Sequence, residues 1–176
     1  MKNKINLTIV LGTAREDRES LKVANFIYSL AQKRPEFSVT FFDIKEAFLG
    51  RTVPPWEENK ETSVWRALVK NSSAFIIVSP EYNHSFPGEL KMLLDQELEA
   101  YNNKMVLLAG VSGGKFGGAR VIESLLPVLN TLGLKNINPS LYFSEVEKLF
   151  KKREEQLLSL YENKINKGFD KIIENI

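Results

Sequence analysis

The sequence predicts an α/β fold in which five parallel strands form one sheet, with helices on both of its faces. Three observations predict it. Short apolar stretches rich in β-branched residues recur along the chain, as in Ile5–Leu11 and residues 74–78. Longer segments with apolar residues at helical spacing separate these stretches, and glycine, proline or polar runs mark the boundaries. Strands that alternate with amphipathic helices are typical of a parallel sheet buried on both sides.

Five strands are predicted, and the fifth is the weakest because Pro139 and polar residues interrupt it. Right-handed crossovers and five strands favour the doubly wound, flavodoxin-like strand order 2-1-3-4-5. The predicted strands are Ile5–Leu11, residues 37–44, residues 73–79, residues 104–111, and a part of residues 134–143.

Helices are predicted between the strands and after the last one. Pro35 ends the first helix, Thr62 or Ser63 is the predicted N-cap of the second, and Gly133 suits the C-terminus of the fourth. An irregular stretch over residues 45–60 precedes the second helix. The predicted helices cover residues 19–34, 62–71, 87–101, 119–133, and 144–176, the last with a break near Gly168.

Composition limits the function classes. The chain has 176 residues and a net charge of +2, and it contains no cysteine and one histidine. We expect one domain over residues 1–176, with no disulfide, no metal site and no basic surface for nucleic acid. The N-terminal apolar run is too short for a signal peptide or a membrane span. These features predict a cytoplasmic protein with neither a nucleic-acid nor a membrane partner.

The loop after the first strand has the residue types of a phosphate site. In the predicted strand order, ligands bind beyond the carboxyl ends of strands 1 and 3. Thr13 and Ser20 offer hydroxyl groups there, and Arg15 and Arg18 offer guanidinium groups that suit phosphate. The N-terminus of the following helix adds its amides and a positive partial charge. The alternative is an ordinary polar connection in which Ser20 is the N-cap of the helix.

Two common nucleotide motifs are excluded by spacing. No G-x-G-x-x-G follows the first strand. The run GVSGGK after the fourth strand is not a Walker A motif. Only three residues separate Gly110 from Gly114, and Phe116 stands where that motif requires Ser or Thr.

The loop after the third strand carries the most specific motif. The run PEYNHSFPGELKMLLD, residues 80–95, resembles the P-E-Y-N-x-S-x-P-G-x-L-K-N-x-x-D signature of NADPH-dependent FMN reductases. GTAREDRES resembles the phosphate loop of that family, with one extra residue before the serine. VSGGKFGGARVIESLLPVLNTLG resembles its third segment. The resemblance covers residues 5–143, and it departs from the signature at Met92, where asparagine is usual.

The resemblance implies a flavodoxin-like domain with FMN as cofactor and NADPH or NADH as co-substrate. Thr13, Arg15 and Ser20 match the positions that hold the FMN phosphate, whereas Arg18 lies in the inserted stretch and is assigned by its chemistry. The backbone of two loops is expected to line the flavin ring, and Gly113 or Gly114 is expected to contact the ring or to use a positive φ. These ring-lining residues are Pro80, Glu81, Tyr82, Asn83, Ser112, Gly113 and Gly114.

The expected activity is ping-pong hydride transfer from NAD(P)H to N5 of FMN and on to an acceptor such as a quinone, azo compound, free flavin or metal oxyanion. His84 and Ser85 are the expected substrate-binding residues. No side chain is assigned as catalytic because the cofactor carries the chemistry. We expect Glu81 to be a structural or interface carboxylate.

Two alternatives remain at this point. One is a flavodoxin-like module that transfers electrons or binds flavin without direct use of nicotinamide. The other is a fold relative that binds a different phosphate ligand. Family resemblance also implies a homodimer or homotetramer. Trp56 either covers the flavin of a neighbouring subunit or packs within a surface loop.

Overall fold

A computed structural model describes residues 3–47 and 49–176 and confirms the predicted sheet. The five strands are all parallel and follow the order 2-1-3-4-5. Position 48, within the predicted irregular stretch, lies outside the described residues. The strands are β1 (Ile5–Leu11), β2 (Phe37–Asp43), β3 (Ala74–Pro80), β4 (Met105–Val111) and β5 (Lys135–Phe143).

Helices cover both faces of the sheet. They are α1 (Ser20–Gln32), α2 (Ser63–Asn71), α3 (Gly88–Leu94), α4 (Ala119–Thr131), α5 (Val146–Leu149) and α6 (Glu154–Glu174). Successive residues of β3 point to opposite faces, so Ile76 packs with α1 and α6, and Ile77 packs with α2, α3 and α4. Every residue of β3 and β4 is buried. Helices of the described residues are all too short or too polar to span a membrane.

The third helix is shorter than predicted. It ends at Leu94 rather than near Tyr101, and a separate 3₁₀ turn covers Glu99–Tyr101. The Glu97 carboxylate accepts hydrogen bonds from the amides of Leu98 (2.9 Å) and Ala100 (3.4 Å), and these amides are then no longer available to an α-helix.

The C-terminal segment does not break at Gly168 as predicted. It breaks between α5 and α6, where the Arg153 amide donates to Gln156 Oε1 (3.1 Å) and begins a new helix. Gly168 instead lies within α6, where a Cβ would approach Leu107 Cδ2 to 2.6 Å. The glycine therefore allows α6 to pack closely against β4.

Thr62 occupies the N-cap position of α2, as one of the two predicted alternatives has it, but its side chain makes no cap hydrogen bond. Asn59 Oδ1 instead accepts from the amides of Glu61 (2.7 Å) and Thr62 (3.3 Å). An asparagine three residues upstream thus supplies the turn that leads into α2.

Candidate cofactor site

A cleft of about 510 Å³ lies at the carboxyl ends of β1, β3 and β4. This is the switch point of the sheet, where the loops after these three strands come together. The volume is in the range of small-molecule and cofactor sites. The cleft is lined by residues 15–20 of the β1 loop, Pro80, Glu81 and Tyr82 after β3, Val111, Ser112 and Gly113 at the end of β4, and Val146 and Glu147 of α5.

Two arginines of the β1 loop have different surroundings. Arg18 is almost fully buried, with its side chain 7% exposed; it pairs with the Asp43 carboxylate and donates to the Arg15 carbonyl (3.0 Å). Arg15 is exposed, and its guanidinium lies 5.5 Å from the ring centre of Tyr82. Among the described residues, no ion pair involves Arg15. Arg15 therefore has a free positive charge at the cleft, whereas the charge of Arg18 is already neutralised.

Ser20 is the first residue of α1 and is 2% exposed. Glu19 occupies the N-cap position, so the alternative interpretation of Ser20 as an ordinary N-cap is wrong. Within the described chain, Ser20 Oγ has no hydrogen-bond partner, and neither does Arg18 Nε. Buried polar groups are rarely left without a partner. Two unpartnered donors at the N-terminus of a 13-residue helix fit an oxyanion such as a phosphate.

Glu16 and Glu19, at the same end of the cleft, each form an ion pair with a lysine. Lys45 Nζ lies 2.6 Å from Glu16 Oε1, and this hydrogen bond is the main cause that lowers the pKa of Glu16 below its ordinary value. Glu19 pairs with Lys22 at 2.8 Å. These pairs reduce the repulsion that an anionic ligand would meet.

Thr13 lies beneath the cleft rather than on its wall. It is fully buried, and its hydroxyl contacts Tyr82 Oη (3.2 Å) and Glu89 Oε1 (3.1 Å). The structure thus places Thr13 next to the other predicted phosphate residues but with its side chain bonded to protein groups.

The loop after β3 is a tight hairpin. The amides of Tyr82 and Ser85 each donate to the other's carbonyl (2.9 and 3.0 Å), and Asn83 and His84 between them have φ of +49° and +64°. Two central residues with positive φ are the mark of a type I′ turn, in which asparagine is favoured. The turn projects Asn83 and His84 beyond the cleft wall into solvent.

The two predicted substrate residues lie beside a second, shallower groove. His84 lines that groove of about 480 Å³ together with residues of α4. Ser85 Oγ lies 3.3 Å from Ser124 Oγ, also on α4. Glu81, which lines the cleft, accepts at Oε1 from Nη1 of Arg120, which lines the groove (3.3 Å). Within the described residues, Glu81 Oε2 has no partner.

Some backbone amides at the cleft donate hydrogen bonds to protein carbonyls, and others have no acceptor in the described chain. Glu81 donates to the Val111 carbonyl (2.9 Å) and Ser112 to the Phe143 carbonyl (3.1 Å), so these amides are taken, as are those of Tyr82 and Ser85. Among the described residues, no acceptor is found for the amides of Asn83, His84, Gly113 and Gly114 in these two loops.

The glycines after β4 form two pairs with different geometry. Gly113 and Gly114 are exposed, and neither has φ in the left-handed region. Of the two roles expected for this pair, a positive φ is therefore excluded, and contact with the ring stays a prediction. The positive φ values occur at Gly117 (+61°) and Gly118 (+78°) instead. A Cβ on Gly113 or Gly114 would meet no atom of the described residues within 4 Å.

Among the site residues that the sequence did not predict, four lie outside the three predicted loops. Asp43 ends β2 and holds Arg18, Glu89 of α3 holds the β1 loop, and Val146 and Glu147 close one side of the cleft. Asp43 could have been found because it follows a predicted strand at the ligand-binding edge of the sheet. The other three carry no comparable signal in the sequence.

Comparison with known proteins identifies the family of this chain. A family model described as "NADPH-dependent FMN reductase" matches residues 5–148. An NAD(P)H-dependent FMN reductase of Schizosaccharomyces pombe is 23% identical over 137 residues, which cover 73% of this chain and 68% of that protein. A 2-hydroxy-1,4-benzoquinone reductase of Burkholderia sp is 27% identical over 149 residues, covering 81% and 80%.

A solved structure shares the fold at low identity. The flavoenzyme NAD(P)H:(acceptor) oxidoreductase FerB from Paracoccus denitrificans superposes with a TM-score of 0.75 at 18% identity, over 97% of this chain and 98% of that one. The family match covers most of the chain, including all three strand-end loops. The chain therefore belongs to the NADPH-dependent FMN reductase family, a family of oxidoreductases with FMN as cofactor and NAD(P)H as electron donor.

Proposed function

We propose that this protein is an FMN-dependent NAD(P)H oxidoreductase that works by a ping-pong sequence. The observation that carries the proposal is the cleft at the switch point, with unpartnered donors at one end and unused amides beside it. Bound FMN would supply the chemistry, taking a hydride from NAD(P)H at N5 and passing electrons to an acceptor.

The phosphate of FMN would be held at the β1 loop. Arg15 offers an uncompensated charge, Ser20 Oγ a buried donor without a partner, and the N-terminus of α1 a positive partial charge. Arg18 would act differently, because its pair with Asp43 and its bond to the Arg15 carbonyl hold the loop in shape. Thr13 would also act beneath the loop.

The flavin ring would lie toward the loops after β3 and β4. The amides of Gly113 and Gly114 have no acceptor in the described chain, and the space above both glycines is open. An oxidised or reduced flavin presents carbonyl oxygens and ring nitrogens, which such amides can bind. Pro80, Glu81, Tyr82, Asn83 and Ser112 complete the proposed set around the ring.

We propose that His84, which lines the groove along α4, and Ser85, which contacts Ser124 of α4, bind the substrate. No protein base is required, because hydride transfer needs alignment of two rings rather than proton removal by the protein. A quinone is the acceptor class that the relatives best support, since two of them are named quinone reductases. Azo compounds, free flavin and metal oxyanions are further candidates.

Anaerobic mixing of the FMN-loaded protein with NADPH and NADH separately tests the proposal. We expect the flavin absorbance to bleach with at least one nucleotide and to return when a quinone is added. A flavin that both nucleotides leave unchanged would contradict the proposal and favour the electron-transfer module. A protein that binds no FMN at all would favour the other alternative, a fold relative that binds a different phosphate ligand.

We further propose that the protein is a homodimer or homotetramer. Trp56 is 82% exposed and lines a cleft of about 640 Å³ with Leu98, which is also exposed. Exposed large apolar residues side by side are typical of protein contact surfaces. The exposure does not fit the alternative in which Trp56 packs within its own loop. Sedimentation at several concentrations measures the oligomeric state, and a monomer at all of them would contradict this proposal.

A further inference from the structure

Glu89 bonds to the β1 loop although it is neither in the family signature nor on the cleft wall. It is the second residue of α3, and its Oε1 accepts from Thr13 Oγ1 and from the Ala14 amide, both at 3.1 Å. The variable position of the motif P-G-x-L-K thus contacts the loop proposed to hold the phosphate.

These bonds use the whole capacity of the Thr13 hydroxyl. A threonine hydroxyl has one proton to donate and two lone pairs to accept. Thr13 donates to Glu89, and it accepts from the Arg15 amide (3.3 Å). Its contact with Tyr82 Oη (3.2 Å) must therefore be one in which Tyr82 donates. A direct bond from this hydroxyl to a phosphate would require one of the three to break.

The network joins two loops of the cleft through one buried atom. Thr13 Oγ1 connects the Arg15 backbone in the β1 loop to Tyr82 in the β3 loop, and Arg15 also lies over the Tyr82 ring. Leu90, the neighbour of Glu89, packs beneath the same loop, where a Cβ on Gly12 would lie 3.0 Å from Leu90 Cδ2. Helix α3 thus supports the β1 loop by hydrogen bonds that Glu89 accepts and by packing of Leu90.

We propose that Glu89 is a positioning residue for the cofactor site, an inference that rests on the proposed function. Its carboxylate accepts hydrogen bonds from the Thr13 hydroxyl and the Ala14 amide. This orients the Thr13 oxygen so that it can accept hydrogen bonds from the Tyr82 hydroxyl and the Arg15 amide. Arg15 and Tyr82 are then preset on the cleft wall before the ligand binds. Preorganised sites bind more tightly because less ordering remains to be done on binding.

Two substitutions distinguish the length of the Glu89 side chain from its charge. Glu89→Gln keeps the length and an accepting oxygen but removes the charge, whereas Glu89→Asp keeps the charge but draws the carboxylate back by one methylene. We expect the FMN dissociation constant of Glu89→Gln to stay within about threefold of the unmodified protein. Glu89→Asp should raise it about tenfold, as expected for the loss of about 1.4 kcal/mol of hydrogen bonding.

Asp95→Asn, at the C-cap of the same helix, is the matched control. It removes a carboxylate that pairs with Lys91 and does not contact the β1 loop. If Glu89→Asp weakened FMN binding only by destabilising α3, Asp95→Asn would weaken it to the same extent. We expect its FMN affinity to be unchanged.

Amide hydrogen exchange in the FMN-free protein tests the proposal independently of the cofactor. Exchange at Ala14 and Arg15 should be faster in Glu89→Asp than in the unmodified protein, and close to unmodified in Glu89→Gln. If the unmodified protein binds no FMN, the proposed function fails, but the exchange data still test the network. Unchanged exchange in Glu89→Asp, or equal loss of FMN affinity in the Gln and Asp variants, would overturn the positioning role.

Discussion

Two glycine pairs in one loop have opposite surroundings. A Cβ on Gly118 would lie 2.5 Å from the Val111 amide nitrogen, and its φ is +78°. A Cβ on Gly113 or Gly114 would contact no atom of the described residues within 4 Å, and neither residue has a positive φ. The fold itself thus requires glycine at 117–118, whereas nothing in the described protein requires it at 113–114. The open pair is where a ligand can explain the residue type.

The two arginines of the β1 loop show the same difference. The charge of Arg18 is paired with Asp43, and Arg18 also donates to the Arg15 carbonyl, although its Nε has no partner; Arg15 has no ion pair among the described residues. A charge at the cleft without a protein partner is a candidate for ligand contact, and a paired one is a candidate for loop support. Substitutions of both kinds of residue test this distinction.

The largest effect on stability is expected for Gly118→Ala. Backbone strain and overpacking cost about 1–3 kcal/mol each, so the free energy of unfolding of the FMN-free protein should fall by about 2–6 kcal/mol. Urea unfolding measures it. Gly114→Ala is the control and should change stability by less than about 1 kcal/mol, because alanine fits its φ. If Gly118→Ala and Gly114→Ala unfolded at the same urea concentration, the two glycine pairs would not differ in their structural role.

Arg15→Ala should weaken FMN binding while leaving the FMN-free protein as stable as before. A charge-assisted hydrogen bond contributes about 1.5–3 kcal/mol, so the dissociation constant should rise about 10- to 150-fold. Fluorescence titration with FMN measures it. Arg18→Ala is the matched comparison and should lower the melting temperature of the FMN-free protein, because it leaves Asp43 without its cation. An FMN titration of Arg15→Ala that overlays the unmodified one would exclude the phosphate assignment.

His84→Gly should have the smallest effect. Glycine suits the φ of +64° at this position, so the hairpin is retained. The rate constant for flavin reduction by NAD(P)H should change by less than about tenfold, because no general base is lost. Anaerobic stopped-flow absorbance measures it. A fall of about a thousandfold, within the range for lost acid–base catalysis, would assign His84 a catalytic role.

The sheet could be predicted from the sequence because apolar runs mark buried parallel strands directly. The end of α3 could not, since it depends on the Glu97 side chain taking two backbone amides that a helix would use. The periodicity of apolar residues continues past Leu94 and contains no sign of that competition.

The location of the site was predictable for a topological reason. Carboxyl ends of parallel strands meet at one edge, so the loops after β1, β3 and β4 had to converge. Which loop residues are free to contact a ligand, and which support the loop, was not predictable. Whether Arg15 or Arg18 is free depends on Asp43, and the state of the Thr13 hydroxyl depends on Glu89, 76 positions away.

The central claim is that the open space above Gly113 and Gly114 receives the flavin, and Gly113→Val tests it most directly. FMN affinity and the melting temperature of the FMN-free protein should be measured on the same variant. We expect the dissociation constant to rise by about tenfold or more, because a side chain would occupy the space that the ring needs. The melting temperature should shift by less than about 2 °C, as for an ordinary surface substitution. A variant with unchanged FMN affinity and a lowered melting temperature would contradict the account and leave Gly113 with a structural role alone.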